Sequence, residues 1–135
     1  MESGLMESTE SGAALFARLL ETFDVLMGEN GCPWDREQTH GSIRGNLLEE
    51  AQEAAEAIDS GDAGHMAEEL GDVLLQVIFH AKIAEKNGGF NMDDIMRKLL
   101  GKLVARHTHV FGGDTASTAE EALLLWERNK KKSRQ

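Results

Sequence analysis

The chain has 135 residues, 41% of them apolar, and carries a formal net charge of −10. This length and apolar content suit one ordinary domain with one hydrophobic core. The acidic charge excludes a nucleic-acid polymer as the expected partner, since such binding needs many Lys and Arg, and no apolar run approaches membrane-spanning length.

The composition predicts an all-α protein. The chain contains one Pro and no Tyr, while the Ala, Leu, Glu and Lys that dominate it favour helices over sheets. Cys32 is the only cysteine, so an intramolecular disulfide is excluded and a reducing, cytoplasmic location is expected. The polar residues 1–12 lack the order of a signal peptide and are expected to form a flexible tail.

Hydrophobic periodicity divides the rest of the chain into helices and breaks. Four or five helices around a hairpin should form a single domain over 13–130, followed by a basic tail over 131–135. The first predicted elements in chain order are a helix over 13–27, an ordered loop over 31–41, and helices over 42–59 and 63–86. The next helix is capped by Asn91 and stops near Gly112. The last helix starts at Thr118, because Thr118 and Glu121 have capping-box spacing.

The predicted helices over 42–59 and 63–86 form a hairpin with Gly61 at its midpoint. On the first helix, five apolar residues lie within about 40° of one direction around the helix axis, which predicts the core face. They are Ile43, Leu47, Ala51, Ala54 and Ile58. The second is apolar nearly all round, so we expect it to be buried and to require a second copy of the chain. Its one narrow polar strip contains Glu69, Asp72, Gln76 and His80.

Four acids of this hairpin should face one another. Glu53 and Glu69 are each eight residues from Gly61, and Glu50 and Asp72 are each eleven from it, so the two layers are about 4.5 Å apart. Carboxylates that converge away from water repel one another unless they bind cations or protons. Oxygen-only ligation predicts Mg²⁺, with Mn²⁺ as a substitute. A solvated acidic surface is the alternative interpretation.

Four segments of the chain resemble MazG nucleotide pyrophosphohydrolases, over about Leu15 to Lys130. They are Glu49–Glu53 followed by Glu69–Asp72, then Cys32–His40, Arg106–Phe111 and Trp126–Lys130. The resemblance implies an all-α, helical-bundle homo-oligomer, dimeric or a dimer of dimers. It also implies Mg²⁺-dependent hydrolysis of nucleoside triphosphates to a monophosphate and pyrophosphate, in nucleotide-pool housecleaning.

The resemblance also implies roles for individual residues. Glu50, Glu53, Glu69 and Asp72 would bind the metal, and Glu49 would orient or deprotonate the attacking water. Lys102 and Arg106, at i and i+4, would contact phosphate. The other candidate substrate-binding residues, each with a packing or surface role as its alternative, are Trp34, Arg36, Gln38, Trp126 and Lys130.

Some positions depart from the family pattern, and other functions stay open. Thr108 stands where Pro is common, while Asn46 and Gln52 stand where aromatic residues are frequent, which bears on substrate preference and assembly. A phosphoribosyl-ATP or dCTP/dUTP pyrophosphohydrolase is one alternative, and a non-enzymatic helical interaction module is another. A carboxylate-bridged iron protein would need Glu-x-x-His pairs, whereas Glu69-x-x-Asp72 has no His. His107 and His109 are expected to cap the preceding helix or to pack locally.

Overall fold

The computed structural model describes residues 10–134, and in that range all regular structure is helical, which confirms the all-α prediction. The helices are α1 (Gly12–Leu26), α2 (Pro33–Glu37), α3 (Arg44–Ser60), α4 (Ala63–Lys86), α5 (Met92–Arg106), α6 (Thr108–Phe111) and α7 (Ala119–Ser133). They form two compact units that divide between Asn91 and Met92. Within the described range, no helix is long and apolar enough to cross a membrane.

The structure differs from the predicted elements by a turn or more at two places, within the loop over 31–41 and near His107. The predicted loop over 31–41 contains α2, which begins at Pro33, where the fixed φ of proline suits the first helical turn. The helix expected to reach Gly112 is broken at His107, whose φ of −108° and ψ of 56° are not helical. α7 continues to Ser133 and so includes part of the expected basic tail. Most of the expected N-terminal tail, residues 1–9, lies outside the described residues.

The predicted hairpin is confirmed. Gly61 ends α3 in the left-handed region with φ 73°, a conformation that costs glycine little. Asp62 then caps α4, its side chain accepting a hydrogen bond from the His65 backbone N–H at 3.2 Å. α3 packs along α4, and α1 packs against α4 as well.

The core face of α3 is rotated from the predicted stripe. Ile43, Ala54 and Ala57 are buried, whereas Ala51 and Ile58, which were expected in the core, are exposed. The buried direction therefore lies roughly 50° from the predicted one, toward Glu50. The small side chains of Ala54 and Ala57 let α4 approach on this face, so Glu50 lies on the side of α3 that meets α4.

α4 is buried over its second half only. Its fully or nearly buried apolar residues are Ile78, Phe79, Ala81, Ile83 and Ala84. In the first half, Leu70 is 49% exposed and Leu74 is 39% exposed. The first half of α4 is therefore uncovered in the single chain, and the expectation that a second copy of the chain covers it stays a prediction.

The second unit contains α5, α6 and α7. Arg106 and Asn129 are its buried polar residues, and the Asn129 amide donates to the Thr108 hydroxyl at 2.9 Å. The Thr118 hydroxyl accepts from the Glu121 N–H at 3.1 Å, which confirms the predicted N-cap. The Glu121 carboxylate accepts from the Ser117 N–H at 2.8 Å, one residue before the position that a standard capping box uses.

Candidate active site

Three carboxylates of the α3–α4 hairpin converge. Glu50, Glu69 and Asp72 each place one oxygen so that the three atoms lie within 4.8 Å of one another. All three residues are half-buried. Glu50 comes from the face of α3 that meets α4, and Glu69 and Asp72 come from the polar strip of α4. This arrangement brings together three of the four acids that the sequence placed opposite one another.

The cluster carries uncompensated negative charge. The Glu50 and Glu69 side chains each have a buried Oε2 atom with no hydrogen-bond partner in the described part of the chain. Burial raises the pKa of Glu50, and the neighbouring carboxylates of Glu53 and Asp72 raise it further. Burial and then Asp72 raise the pKa of Glu69, which His65, 3.9 Å away, only partly opposes. Each shift has the sign expected of acids that lack a cation.

The donor set fits a hard divalent cation. All the converging ligand atoms are carboxylate oxygens, the type that Mg²⁺ and Mn²⁺ prefer. The two unpartnered buried oxygens would gain the partner that they lack, and a bound cation would oppose the burial and the like charges that raise the pKa of Glu50 and Glu69. The cluster could thus hold a divalent ion through Glu50, Glu69 and Asp72.

Glu53 and Glu49 lie at the edge of this cluster. Glu53 is exposed, but its carboxyl group lies within hydrogen-bonding reach of Glu50 and raises the pKa of Glu50 and Glu69. Glu53 is not among the three residues whose ligand oxygens lie within 4.8 Å of one another. Glu49, the candidate catalytic residue, is exposed. The metal role of Glu53 and the water-orienting role of Glu49 stay predictions.

The candidate residues that precede α3 mainly form local contacts around α2. The Arg36 guanidinium donates to the Glu29 carbonyl at 2.6 Å, and the Gln38 amide donates to the Trp34 carbonyl at 2.8 Å. Trp34 is 54% exposed, and its indole and the Phe79 ring meet edge to face with 6.3 Å between their centroids. An indole held in this way at the surface leaves area for stacking.

The candidate residues of the second unit differ in exposure. Lys102 is exposed, whereas Arg106 is buried with its guanidinium 5.2 Å from the Trp126 ring centre. Lys130 is half-buried. The expected local role of His107 is confirmed, because its Nδ1–H donates to the Leu103 carbonyl at 2.6 Å and its ring packs on Trp126. The phosphate role of Lys102 and Arg106 stays a prediction.

Sequence reasoning missed two polar residues beside the acids. Gln76 is only 6% exposed, and Asn46 is half-buried. Gln76 was visible as a member of the polar strip on α4, but nothing in the sequence distinguished it from the acids as a separate binding group. The sequence singled out Asn46 only because it stands where the family pattern often has an aromatic residue.

The all-helical fold and the carboxylate cluster together define an α-helical protein with a candidate divalent-cation site on a helical hairpin. Residues 38–111 match the MazG nucleotide pyrophosphohydrolase domain, and this match covers more than half of the chain. The chain belongs to the MazG family.

Named relatives and a solved structure agree with this membership. The nucleoside triphosphate pyrophosphohydrolase/pyrophosphatase MazG of Thermotoga maritima is 46% identical over 121 residues, covering 88% of this chain and 48% of the relative. The nucleoside triphosphate pyrophosphohydrolase of Escherichia coli K12 is 43% identical over 106 residues, covering 78% of this chain and 40% of the relative. The chain thus spans less than half the length of these relatives.

The crystal structure of a mazG-related protein from Thermotoga maritima superposes with a TM-score of 0.70 at 28% identity. The alignment covers 85% of this chain and 98% of that one. An all-helical MazG-like fold is therefore shown by a solved structure as well as by the sequence match.

Proposed function

We propose that the chain hydrolyses nucleoside triphosphates to a nucleoside monophosphate and pyrophosphate, using Mg²⁺ or Mn²⁺. The observation that carries the proposal is the convergence of Glu50, Glu69 and Asp72 within 4.8 Å, with unpartnered buried oxygens on two of them. Membership of the MazG family and the names of its curated relatives support the same reaction.

Each acid has a part in this proposal. Glu50, Glu69 and Asp72 bind the cation, and Glu53, whose carboxyl group contacts Glu50, completes the set. The bound cation would supply charge neutralisation for the triphosphate and a lowered pKa for a coordinated water. Glu49, exposed beside Glu50, would orient that water or accept its proton. The carboxylates repel the negative phosphate oxygens directly, so they can bind the triphosphate only through the cation.

The remaining candidates serve the substrate in the proposal. Lys102, Arg106 and Lys130 contact phosphate, a role that the packing of Arg106 on Trp126 would have to accommodate. Arg36, Gln38 and the two tryptophans contact the base or sugar. Proteins that recognise nucleotides commonly combine stacking aromatic groups with charge-assisted contacts to phosphate.

The proposal also covers the oligomeric state and the cellular role of the protein. The exposed apolar residues of the hairpin, among them Leu48, Ile58, Leu70 and Leu74, support a homodimer or a dimer of dimers. We further propose a cytoplasmic housecleaning role on the nucleotide pool. Sedimentation at micromolar concentration tests the assembly, and an active, stable monomer would contradict it.

The deciding assay incubates the purified chain with Mg²⁺ and a panel of ribonucleoside and deoxyribonucleoside triphosphates, together with phosphoribosyl-ATP. Pyrophosphate and the monophosphate should appear in equal amounts, and chelation should stop the reaction. Orthophosphate and a diphosphate as first products would contradict the proposal. Confinement of activity to phosphoribosyl-ATP, dCTP or dUTP would identify a dedicated enzyme instead.

A further inference from the structure

Arg106, the last residue of α5, is a buried cation without a counter-ion. It is 8% exposed, its Nε atom has no hydrogen-bond partner, and no acidic residue in the described part of the chain forms an ion pair with it. Its guanidinium donates to the Ser133 hydroxyl at 3.4 Å and lies 5.2 Å from the centre of the Trp126 ring. A buried charge without a counter-ion destabilises a fold, and an anionic phosphate would supply the missing partner. The contacts that hold Arg106 in position therefore bear on the phosphate contact proposed for it.

The main chain leaves helical geometry directly after Arg106. His107 has a φ of −108° and a ψ of 56°, and α6 begins at Thr108. Asn129 of α7 is 7% exposed, and its amide donates to the Arg106 carbonyl at 3.4 Å and to the Thr108 hydroxyl at 2.9 Å. One buried side chain of α7 therefore holds the chain on both sides of the break and, with it, the direction in which Arg106 leaves α5.

Thr108 and Asn129 belong to a closed ring of hydrogen bonds. The Arg128 guanidinium donates to the Asn129 Oδ1 atom at 3.2 Å and to the Asp114 carboxylate at 2.6 Å. The Asp114 backbone N–H donates to the Thr108 carbonyl at 3.2 Å. The Thr108 hydroxyl lies within hydrogen-bonding reach of the Asp114 carboxylate, and this contact lowers the pKa of Asp114, as does Arg128. A polar network in which each member has partners makes the surrounding structure rigid.

The Thr108 hydroxyl links two sides of this ring. A hydroxyl can accept one hydrogen bond and donate another, so it can accept from Asn129 and donate to Asp114 at the same time. Without it, the buried Asn129 amide would keep only its longer bond to the Arg106 carbonyl. Thr108 stands where the family pattern commonly has Pro, a residue that fixes φ at the first position of a helix through its own ring. In this chain, side-chain hydrogen bonds hold the start of α6 instead.

We propose that Thr108 is a positioning residue for the triphosphate, because its hydroxyl acts through Asn129 to hold the break after Arg106 and so keeps the guanidinium in one position for phosphate. A charged group that is already held in place loses less conformational freedom when its ligand binds, which raises affinity. Thr108 itself makes no contact with phosphate in this proposal. The assignment rests on the proposed function, which gives Arg106 its phosphate contact.

The test measures the Kd of the α,β-methylene analogue of ATP by titration calorimetry in Mg²⁺. Thr108→Val keeps the shape of the side chain but removes the hydroxyl, and it should raise the Kd by about fivefold to tenfold. Thr108→Ser keeps the hydroxyl and should restore the Kd to within about twofold of wild type. Thr115→Val is the matched control, since Thr115 is exposed in the same unit, and it should bind like wild type.

A double-mutant cycle separates positioning of Arg106 from a merely structural role. Arg106→Met keeps much of the side-chain volume without the charge and should raise the Kd by about tenfold or more. If Thr108 acts through Arg106, adding Thr108→Val to Arg106→Met should change the Kd by less than about twofold. Thr108→Val that lowers the melting temperature but leaves the Kd unchanged would overturn the inference. An equal rise in Kd with and without the Arg106 guanidinium would also overturn it.

Asp114→Ala provides a second variant if Thr108→Val does not fold. Asp114 lies outside the helices, between α6 and α7, and its loss opens the same ring from the other side. This variant should raise the Kd by about threefold when Arg106 is present. An unchanged Kd would overturn the inference.

Hydrolysis by wild type keeps the two proposals distinguishable. A wild type that hydrolyses no nucleoside triphosphate defeats the proposed function. If wild type hydrolyses them and Arg106→Met binds the analogue as tightly as wild type does, the phosphate contact of Arg106 is wrong and the inference falls with it. If Arg106→Met weakens binding and Thr108→Val does not, only the role of Thr108 is wrong.

Discussion

The two halves of α4 contrast within one helix. The second half places Ile78, Phe79 and Ile83 in the core, each under 5% exposed. The first half carries Glu69 and Asp72, which gather negative charge, and leaves Leu70 and Leu74 partly exposed. Packing of apolar side chains in the C-terminal half therefore stabilises α4. The same packing keeps the acids of the N-terminal half close together when no metal is bound.

The largest expected effect on stability comes from the packed half. Ile78→Ala removes a side chain that is 1% exposed, and the lost burial plus the remaining cavity should cost about 2–5 kcal/mol. Val25→Ala, at a position 70% exposed on α1 and outside the residues proposed for the dimer contact, is the control truncation and should cost well under half as much. Urea unfolding of both variants measures the difference. Equal losses would contradict the exposure of Val25 in the folded protein.

A second effect concerns pH in the acidic half. Because Glu69 has a raised pKa in the folded chain, its contribution to stability is fully present below its ordinary pKa near 4.5 and is lost as pH rises through the raised value. The metal-free wild type should therefore lose more stability between acidic and neutral pH than Glu69→Gln does. Denaturation in chelator across that range tests this sign. A variant with the same pH profile as wild type would contradict it.

The smallest effect concerns a glycine in the acidic half. Gly71 lies inside α4, and a Cβ placed there meets nothing within 4 Å. Gly71→Ala should stabilise the chain by about 0.5–1 kcal/mol, because alanine loses less conformational freedom in a helix. Gly61→Ala is the comparison, since its φ of 73° strains any residue with a Cβ, and it should destabilise. Thermal melts that show the same sign for both would contradict the assigned backbone conformations.

The sequence was sufficient for the hairpin and its acids because both depend on local rules. Gly61 and Asp62 mark the turn, and counting from that turn placed Glu50 opposite Asp72. Helical period could not fix how α3 rotates about its own axis, since that depends on which small residues allow close approach. The burial of Ala57 and the exposure of Ile58 are decided by that rotation.

Tertiary contacts account for the other differences. The break at His107 accompanies its bond to the Leu103 carbonyl and its packing on Trp126, neither of which a periodic pattern contains. The burial of Gln76 depends on residues from α1, α2 and α3 that line a cavity with it. A single-sequence pattern identifies polar residues on a helix face but does not determine which of them loses contact with water.

Asp72→Asn tests, without requiring turnover, whether the hairpin acids bind a divalent cation. Melting temperatures of wild type, Asp72→Asn and the control Glu56→Gln are compared in chelator and in Mg²⁺ with an α,β-methylene nucleotide. We expect Asp72→Asn to be at least as stable as wild type in chelator, because one repelling charge is gone, and to gain little from Mg²⁺, while wild type and Glu56→Gln gain clearly through binding to the folded state. A full magnesium-linked gain in Asp72→Asn, with hydrolysis retained, would show that Asp72 is not a ligand and would contradict the metal site on this hairpin.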